Sequence, residues 1–544
     1  MRGMMMDRPL LIQSLLEHAA TRHADTEIVS RTVEGPIHRH GYADAERRAK
    51  RLANALTRLG IGHGDRVATL AWNGYRHFEL YFAVSGMGAV CHTINPRLSP
   101  TQLEYIVNHA EDRLLFLDAS FLPLVEKLAQ AFPSIRYFVV MTDQEHMPKT
   151  SIKQVLCYEE LLAVETDHFV WPSFDENTAA SLCYTSGTTG NPKGTLYSHR
   201  STVLHSYAVC MADTVGLSSV DSVCPIVPMF HVNAWGMPYA APMTGAKLVF
   251  PGPNLDGASL HKLFEAERVT LTLGVPTVWL ALLKHMDDSA SRFSTLNRTV
   301  IGGSAVPRAM IEAFENRYGV AVVQGWGMTE MSPVGTVGTL KAKHRALPAD
   351  RQVDYKVKQG RFLYGVEARI LDADDHVLPN NGVSVGEMVV RGPWIASGYF
   401  NDEKASREAV TADGWFRTGD VCTIDADGYV QITDRRKDVI KSGGEWISSI
   451  DLENLAVGHP DVMEAGAIGI PHPKWGERPL LVVVPKSGRA PTAESILAYM
   501  ADRMPKWMLP DAVVSVAELP HTATGKILKT KLREQFREYR LPTA

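Results

Sequence analysis

Residues 184–194 carry the side chains and backbone flexibility that a polyphosphate requires. The segment YTSGTTGNPKG contains three glycines, four Ser or Thr hydroxyls and Lys193. Glycines let backbone N–H groups approach an anion closely, hydroxyls donate hydrogen bonds, and an ammonium neutralises charge. The segment is not a Walker A loop, because the Gly-Lys pair at 525–526 has Pro520 where that motif needs its first glycine. Taken alone, this composition also fits a flexible linker.

The elements that must position such loops are short apolar runs of strand length. Four runs each end at a Gly-, Ser- or Pro-containing loop: residues 179–183 before the 184–194 segment, 271–275 before Pro276, 299–301 before Gly302-Gly303-Ser304, and 321–323 before Gly325-Trp326-Gly327. Proline suits the first turn of a helix, so Pro276 and Pro307 predict helix starts, the second running through Phe314. Strands that alternate with helices predict an α/β fold with doubly wound sheets, in which ligands bind at the carboxyl ends of the strands.

The pattern changes from about residue 360. Turn signals at residues 379–382 (PNNG) and 425–428 (DADG) predict β-hairpins. We therefore expect α/β sheets to about residue 355, a distorted β-barrel over 356–434, and a small α+β domain over 435–544. The charged run at 433–438 is predicted to be a solvated turn, or a hinge over 434–438 between the two domains.

Composition excludes several classes of protein. The 544 residues include 56 Lys and Arg against 60 Asp and Glu, a net charge of −4, with 45% hydrophobic residues. Such a chain can bury a large core and lacks the basic charge of a general nucleic-acid binder. No apolar stretch reaches the ~18 residues of a membrane helix. Six cysteines without a C-x-x-C pair indicate reduced thiols, so a cytoplasmic protein without a transmembrane segment is expected.

Together the motifs resemble those of the AMP-forming adenylating enzymes, the superfamily of acyl-CoA synthetases, luciferases and peptide-synthetase adenylation domains. After residues 184–194, the further strings in order are 325–330 (GWGMTE), 415–420 (WFRTGD), 434–441 (DRRKDVIK) and 524–526 (TGK). The resemblance covers essentially the whole chain. It implies a large N-terminal domain over 1–434, a small mobile C-terminal domain over 435–544, and activation of a carboxylate by ATP and Mg²⁺ as acyl-AMP before transfer to CoA.

The resemblance also implies roles for single residues in the first half-reaction. Lys526 matches the lysine that bridges the acyl oxygen and the α-phosphate, a mobile point charge. Glu330 matches the Mg²⁺ carboxylate, with Thr185 as a second oxygen ligand. Asp420 matches the acceptor of the ribose hydroxyls. The remaining nucleotide-binding residues implied are Arg435 at the ribose, Trp326 against adenine where the family commonly has Tyr, and Ser186, Gly187, Thr188, Thr189, Gly190, Lys193, Gly303, Ser304, Gly325, Gly327, Met328 and Thr329.

In the second half-reaction, a thiol must reach the acyl-adenylate after pyrophosphate leaves. The family solves this by rotating the C-terminal domain, and Lys437 matches the hinge position. The residues implied to line the CoA tunnel are Lys441, Gly443, Gly444 and Trp446, with Lys441 also in a catalytic role.

Residues 228–236 (PMFHVNAWG) resemble the acyl-pocket segment of medium- and long-chain fatty acyl-CoA synthetases. His231 would lie near the carboxylate, Trp235 matches a gating tryptophan, and the implied pocket walls are Val232, Gly302 and Ala305. Small apolar walls favour an aliphatic acid, and we expect a medium- to long-chain fatty acid. Apolar pockets distinguish chain length by only ~1–3 kcal/mol per methylene, so a short or thioether acid such as 3-(methylthio)propanoate stays open.

Three other functions are alternatives to a CoA ligase. An acyl-AMP ligase that delivers to a carrier protein would share every nucleotide motif. A hydrolase is suggested by the G-x-S-x-G string at 382–386, but a nucleophile elbow needs a strand before the serine and a helix after it, whereas a turn precedes and an apolar strand follows. A non-catalytic sensor is disfavoured because Lys193, Glu330, Asp420 and Lys526 are all present. A homodimer is suggested by analogy alone.

Overall fold

A computed structural model describes residues 1, 3–185, 191–435, 437–443, 445–521 and 527–544, and the side chains of all of these except residues 445 and 446. Its helices are α1 (Gln13–Arg22), α2 (Tyr42–Arg58), α3 (Tyr75–Gly86), α4 (Pro100–Ala110), α5 (Leu122–Leu128), α6 (Tyr158–Ala163), α7 (His199–Cys210), the single turn α8 (Val232–Trp235), α9 (Met237–Thr244), α10 (Gly257–Ala266), α11 (Pro276–Asp288), α12 (Arg308–Glu312), α13 (Ala342–Arg345), α14 (Ala349–Lys356), α15 (Glu403–Ala409), α16 (Ser449–Val457), α17 (Ala493–Ala501) and α18 (Lys529–Gln535).

The strands are β1 (Glu27–Arg31), β2 (Ile37–Gly41), β3 (Arg66–Leu70), β4 (Val90–Thr93), β5 (Leu114–Leu117), β6 (Tyr137–Val140), β7 (Val155–Cys157), β8 (Ala179–Tyr184), β9 (Gly194–Ser198), β10 (Ser222–Pro225), β11 (Lys247–Phe250), β12 (Leu271–Gly274), β13 (Arg298–Ile301), β14 (Ala321–Gly327), β15 (Val334–Val337), β16 (Gly360–Phe362), β17 (Glu367–Leu371), β18 (Val377–Leu378), β19 (Gly386–Arg391), β20 (Phe416–Ile424), β21 (Tyr429–Arg435), β22 (Ile440–Ser442), β23 (Glu445–Ile447), β24 (Val462–His472), β25 (Gly476–Pro485) and β26 (Ala512–Ser515).

One mainly parallel sheet has the strand order β7-β6-β5-β3-β4-β8-β9 among the described residues. Its interior strand β5 (LLFL) is buried along its whole length, as expected for a parallel strand covered on both faces. Only the edge strand β9 runs antiparallel, beside β8. The carboxyl end of β8 therefore leads directly into the 184–194 segment.

A second sheet has the strand order β18-β17-β19-β20-β21-β16-β15-β14-β13-β12-β10-β11-β1-β2. Strands β13, β12, β10, β11 and β1 are parallel, and the first strand of the chain is inserted beside β11, with Ile28 opposite Leu248. Helices α3 and α9 lie in the core between the two sheets, where the rings of Tyr81 and Tyr239 stack with centroids 5.5 Å apart. The predicted α/β architecture is confirmed.

Two expectations about loops in this sheet are wrong. The run at 321–323 does not end at a loop, because β14 continues through Gly325-Trp326-Gly327 by pairing with β15, with a bulge at Trp326/Gly327. Residues 379–382 do not close a hairpin, because β18 and β19 lie on opposite sides of β17. In both places the local sequence indicates a turn, but pairing with strands farther along the chain decides which strands are connected. The predicted hairpin at 425–428 does join β20 and β21.

The helix expected after Pro307 begins at Arg308 and passes at Ala313 into a π-helical turn, Ala313–Arg317. The serine of the 382–386 string is followed by strand β19 rather than by a helix. That arrangement lacks the strand-to-helix turn of a nucleophile elbow.

A separate small domain follows β21. Its sheet has the order β23-β22-β25-β24, with β26 beside β25. The expectation of a solvated turn at 433–438 is wrong for Asp434, which lies in β21 and is 1% exposed. Its carboxylate accepts hydrogen bonds from the Ser449 backbone N–H at 2.7 Å and the Ser449 hydroxyl at 2.5 Å. The run is therefore partly a buried contact between β21 and α16. In the described parts of the chain, no helix is both long enough and apolar enough to cross a bilayer.

Candidate active site

The predicted phosphate-binding segment, residues 184–194, is flanked by β8 and β9. The Thr185 backbone N–H donates to the Lys193 carbonyl at 2.9 Å, and the Lys193 N–H donates to Thr185 Oγ1 at 3.2 Å. The predicted contacts Ser186, Gly187, Thr188, Thr189 and Gly190 lie outside the described residues. What the structure describes is the antiparallel pairing of β8 and β9, the strands that precede and follow these residues in the chain.

Beside this hairpin, Tyr399 joins two predicted site residues. The Lys193 ammonium lies 4.9 Å from the centre of the Tyr399 ring, and the Tyr399 hydroxyl donates to Glu330 Oε1 at 2.7 Å. Burial, followed by the charge of Glu330, raises the pKa of Tyr399, which keeps the hydroxyl protonated as a donor. Tyr399 was missed from the sequence, because no spacing links it to a carboxylate 69 residues away.

Glu330 has the properties of a metal-binding carboxylate. It is 7% exposed and lies in the turn Thr329–Met331 that follows β14. Its backbone carbonyl accepts from the Ala396 N–H at 2.7 Å, which fixes the main chain, while Tyr399 orients the side chain. Hydrogen-bonded carboxylates of this kind are typical Mg²⁺ ligands, so Glu330 and Thr185 fit the ion that accompanies ATP.

Three predicted nucleoside residues lie together in the second sheet, two of them on the neighbouring strands β20 and β21. Asp420 is 2% exposed and stands opposite Arg435 in the β20–β21 register. Its Oδ1 pairs with Arg435 Nε at 2.6 Å, and its Oδ2 accepts from Trp326 Nε1 at 2.9 Å. A bidentate carboxylate with both oxygens oriented in this way is suited to accept two vicinal hydroxyls.

Trp326 has a role that the sequence did not indicate. It is 7% exposed and packs so closely on Gly335 that a Cβ there would lie 2.6 Å from the indole. Its N–H orients Asp420, which a phenylalanine at this position could not do. Stacking of this ring on adenine stays a prediction.

The acyl side is built on an unusual backbone. Val232, Asn233, Ala234 and Trp235 have φ values of 43°, 52°, 49° and 55°, so the single turn α8 is left-handed. For an L-residue this conformation costs ~1–2 kcal/mol, and only Asn of these four adopts it readily. The segment that leads into it is fixed by Asn73, whose Oδ1 accepts from the Met229 N–H at 2.6 Å.

The left-handed turn brings two of the predicted pocket residues, Trp235 and Gly302, together. A Cβ at Gly302 would lie 3.0 Å from the Trp235 indole and 2.8 Å from the Gly325 carbonyl oxygen. Trp235 therefore covers Gly302, and only glycine permits this approach. Val232 is buried, whereas Gly303, Ser304 and Ala305 follow in the loop after β13. His231 stands just before the turn, and its N–H donates to the Pro228 carbonyl at 3.1 Å.

His205 contacts two segments of the site, the start of β15 at Val334 and the glycine that follows the left-handed turn, Gly236. Its Nε2 accepts from the Val334 N–H at 3.2 Å, and its ring lies 2.8 Å from where a Cβ of Gly236 would stand. Burial lowers the pKa of His205 to about 3, so the ring is a neutral acceptor. Close by, the Tyr197 hydroxyl donates to the Thr329 carbonyl at 2.6 Å and fixes the segment from Gly327 through Met328 and Thr329.

The predicted CoA-tunnel residues are held by their own domain. The Lys441 N–H donates to Glu477 Oε2 at 2.9 Å, and the Gly443 N–H donates to the Trp475 carbonyl at 2.7 Å. Burial lowers the pKa of Lys437 at the predicted hinge. Lys526, Gly444 and the side chain of Trp446 lie outside the described parts of the structure.

Comparison with known proteins agrees with this geometry. Residues 16–400 match the AMP-binding enzyme family, and residues 451–526 match the AMP-binding enzyme C-terminal domain. The chain is 51% identical to 3-methylmercaptopropionyl-CoA ligase of Ruegeria lacuscaerulensis, over 99% of both chains. It is 50% identical to long-chain-fatty-acid–CoA ligase of Thermus thermophilus, over 98% of this chain and 97% of the other. Among solved structures, anthranilate CoA ligase AuaEII in complex with anthranoyl-AMP has a TM-score of 0.86 at 25% identity, over 97% of this chain and 98% of the other.

Proposed function

We propose that this chain, which belongs to the AMP-binding enzyme family, joins a linear aliphatic carboxylic acid to CoA through an acyl-AMP intermediate. Within the family it is an AMP-forming acid–CoA ligase. The observation that carries the choice of substrate is the position of residues 325–330. Gly325 faces the Trp235–Gly302 contact, Trp326 bonds Asp420, and Glu330 is the buried carboxylate. One short stretch thus separates an apolar wall from the nucleotide groups.

The first half-reaction must bring two anions together, the acid and the α-phosphate. Lys193 supplies a positive charge at the phosphate segment, and Lys526 is proposed to supply the second at the reacting oxygens. Glu330 and Thr185 would hold Mg²⁺, which when bound neutralises phosphate charge. Asp420 orients the ribose, so that the carboxylate oxygen and the α-phosphorus meet in line.

The second half-reaction needs the site uncovered for a thiol. We infer a hinge over 434–438, between a domain over 1–434 and one over 435–544, that exchanges the Lys526 segment for the hairpin carrying Lys441 and Gly443. The contacts of that hairpin with Glu477 and Trp475 lie inside the small domain, which supports its movement as one unit.

The acid proposed is a medium- to long-chain fatty acid. Val232, Trp235, Gly302 and Ala305 offer an uncharged wall, which suits an alkyl chain better than a second carboxylate. A second candidate is 3-(methylthio)propanoate, favoured by 51% identity to a ligase named for that acyl group. A thioether of that length is apolar and unbranched, so the same wall would accept it.

A panel of acids tests the function directly. Fatty acids of increasing length, 3-(methylthio)propanoate and a dicarboxylate are supplied with ATP, Mg²⁺ and CoA, and pyrophosphate and thioester are measured separately. The highest kcat/KM for a fatty acid supports the first candidate, and the highest value for the thioether acid selects the second. Pyrophosphate without thioester would indicate transfer to a carrier protein, and preference for the dicarboxylate would contradict the proposal.

A further inference from the structure

We propose that Asn233 is a positioning residue that sets the acyl-chain preference, because its side chain holds Trp235 in the left-handed turn. The inference rests on the proposed function and adds a residue to it. Asn233 itself faces β8 rather than the pocket wall, so it acts through Trp235.

The turn requires an anchor because three of its four residues disfavour the conformation. Val232 has φ 43° although its side chain is β-branched, and Ala234 and Trp235 have φ of 49° and 55°. A branched residue at positive φ is a rare outlier that persists only where surrounding contacts impose it. Asn233, at φ 52° and ψ 45°, is the one residue of the turn with a side chain that favours this region.

The anchor is a buried network of neutral groups. Asn233 is 3% exposed, and its Nδ2 donates to Ser181 Oγ at 3.0 Å. Its Oδ1 accepts from the Tyr81 hydroxyl at 3.2 Å and lies 3.6 Å from Cys183 Sγ. Both donor and acceptor ends of the amide are therefore engaged in a low-dielectric interior, where losing a partner is costly and geometry is well defined.

The network fixes the turn to one strand of the first sheet and to one helix. Ser181 and Cys183 belong to β8, and Tyr81 belongs to α3. The single proton of the Tyr81 hydroxyl is shared between Asn233 Oδ1 and the nearer Met229 carbonyl, which lies 2.5 Å away and upstream of the turn. Downstream, the Gly236 N–H donates to the Asn233 carbonyl at 3.0 Å. Asn233 thus sets the direction in which the chain presents the next side chains.

The conformation of the turn determines where the Trp235 side chain lies. Its indole lies against Gly302 closely enough that a methyl group there would be 3.0 Å away. When the anchoring amide is lost, residues 232–235 are free to return to negative φ, which moves the indole away from Gly302. The wall of the acyl pocket then shifts without any change in the residues that line it.

Substitution of Asn233 tests this directly. Asn233→Ala should lower kcat/KM for the preferred acid by about 100-fold, the order expected for a misplacement of about 1 Å, and change the ranking of acids by length. The KM for ATP should stay near the wild-type value. Ala234→Gly is the matched control: it lies in the same turn, eases the left-handed backbone and keeps the amide, so the wild-type ranking should remain.

A second variant covers the case in which Asn233→Ala does not fold. Asn233→Gly lacks the amide but tolerates positive φ, so it should fold. It should change the ranking of acids in the same direction, with a loss of kcat/KM about a tenth of that expected for Asn233→Ala. Thermal melting of each variant separates unfolding from a change of preference. A wild-type ranking of acids in both folded variants overturns the proposal.

Coupling to Trp235 distinguishes a positioning role from a general structural role. In the double variant Asn233→Ala/Trp235→Ala, the ranking should shift no further than in Trp235→Ala alone, because both changes act on one wall. A further shift in the double variant would contradict action through Trp235. The wild-type panel tests the proposed function, whereas ratios of variant to wild type test Asn233, so the two failures are distinguishable.

Discussion

The proposed nucleotide side and the proposed acyl side of the site are built in different ways. On the nucleotide side, Asp420 and Arg435 stand in register on two antiparallel strands, and their charges face one another. On the acyl side, the wall follows from a left-handed turn held by neutral groups, with Asn233 on Ser181 and Asn73 on Met229. The nucleotide side thus depends on charged side chains on regular strands, whereas the acyl side depends on the conformation of the backbone.

The difference follows from what each ligand offers. A nucleotide presents hydroxyls and phosphates at fixed distances, so charged groups in a rigid register can bind each of them. An alkyl chain presents no group to bind, so only the position of the wall distinguishes one acid from another. Substitutions on the nucleotide side should therefore change ATP and metal dependence, and those on the acyl side should change the ranking of acids.

The largest effect is expected at Glu330, the proposed metal-binding carboxylate. Glu330→Gln removes a negative charge from a buried site and should slow acid-dependent ATP–pyrophosphate exchange by about 10³-fold. The residual activity should keep the wild-type ranking of acids. Glu312→Gln, at an exposed glutamate in α12, is the matched control and should leave exchange unchanged. A changed ranking in Glu330→Gln would break the separation between the two sides.

A smaller loss is expected at Asp420, the carboxylate proposed to bind the ribose. Asp420→Asn weakens the pairing with Arg435 and removes one acceptor, which should raise the KM for ATP by about 100-fold. Steady-state kinetics at saturating acid measure this, and the KM for the acid should change little. An equal rise in both KM values would show that the two sides are not independent.

Tyr399 sharpens the comparison within the nucleotide side. Tyr399→Phe keeps the ring beneath Lys193 and removes the hydrogen bond to Glu330, so the Mg²⁺ concentration for half-maximal exchange should rise about tenfold. Direct titration with Mn²⁺ should show weaker binding as well. Tyr364→Phe, at a tyrosine that is 86% exposed, provides the control. Unchanged metal affinity in Tyr399→Phe would assign the hydroxyl to folding alone.

Trp235 is the corresponding test on the acyl side. Trp235→Ala opens the contact with Gly302 and should shift the preference between short and long acids by about tenfold, the scale of one or two methylenes. The KM for ATP should be unaffected. An unchanged substrate profile would remove Trp235 as the wall of the pocket.

The smallest effect is a pH dependence of stability from His205. Its pKa is lowered by burial to about 3, whereas in the unfolded chain it is near ~6.5. Below pH ~6.5 the histidine takes up a proton in the unfolded chain but stays neutral in the folded protein. The contribution of neutral His205 to stability is therefore full above pH ~6.5 and is lost progressively as the pH falls toward 3. Lowering the pH to ~5.5 should cost about 1.4 kcal/mol of unfolding free energy, measured by denaturant titration. Replacement by Gln should remove this loss, and an unchanged pH profile would contradict it.

The sequence predicted the architecture and the groups that carry charge. Apolar runs of strand length placed the parallel strands, and short motifs predict site roles for Glu330, Asp420 and Arg435. The structure brings Asp420 and Arg435 into contact, and the three roles stay predictions. Charged and glycine-rich motifs are recognisable because their chemistry requires particular residue types at fixed spacing. The α/β class and the separate small domain are accordingly confirmed.

What the sequence could not predict depends on long-range contacts. Tyr399, Asn233 and His205 act through partners 69, 52 and 129 residues away, and nothing in their local sequence indicates those partners. The left-handed turn at 232–235 has no local signature, since three of its residues disfavour positive φ. The turn at 379–382 failed for the same reason, because strand partners rather than turn residues decided its connection.

The parallel pairing of β1 with β11 has a consequence for synthesis. Ile28 leaves the ribosome about 220 residues before its partner Leu248. Until then β1 has β2 on one edge, and its other edge lacks the parallel neighbour β11. Contacts this distant along a chain slow folding, because the closure entropy of a long loop comes before any gain. Cellular factors that shelter unpaired strand edges would therefore raise the yield of this protein more than that of one whose first strand finds both neighbours close in sequence.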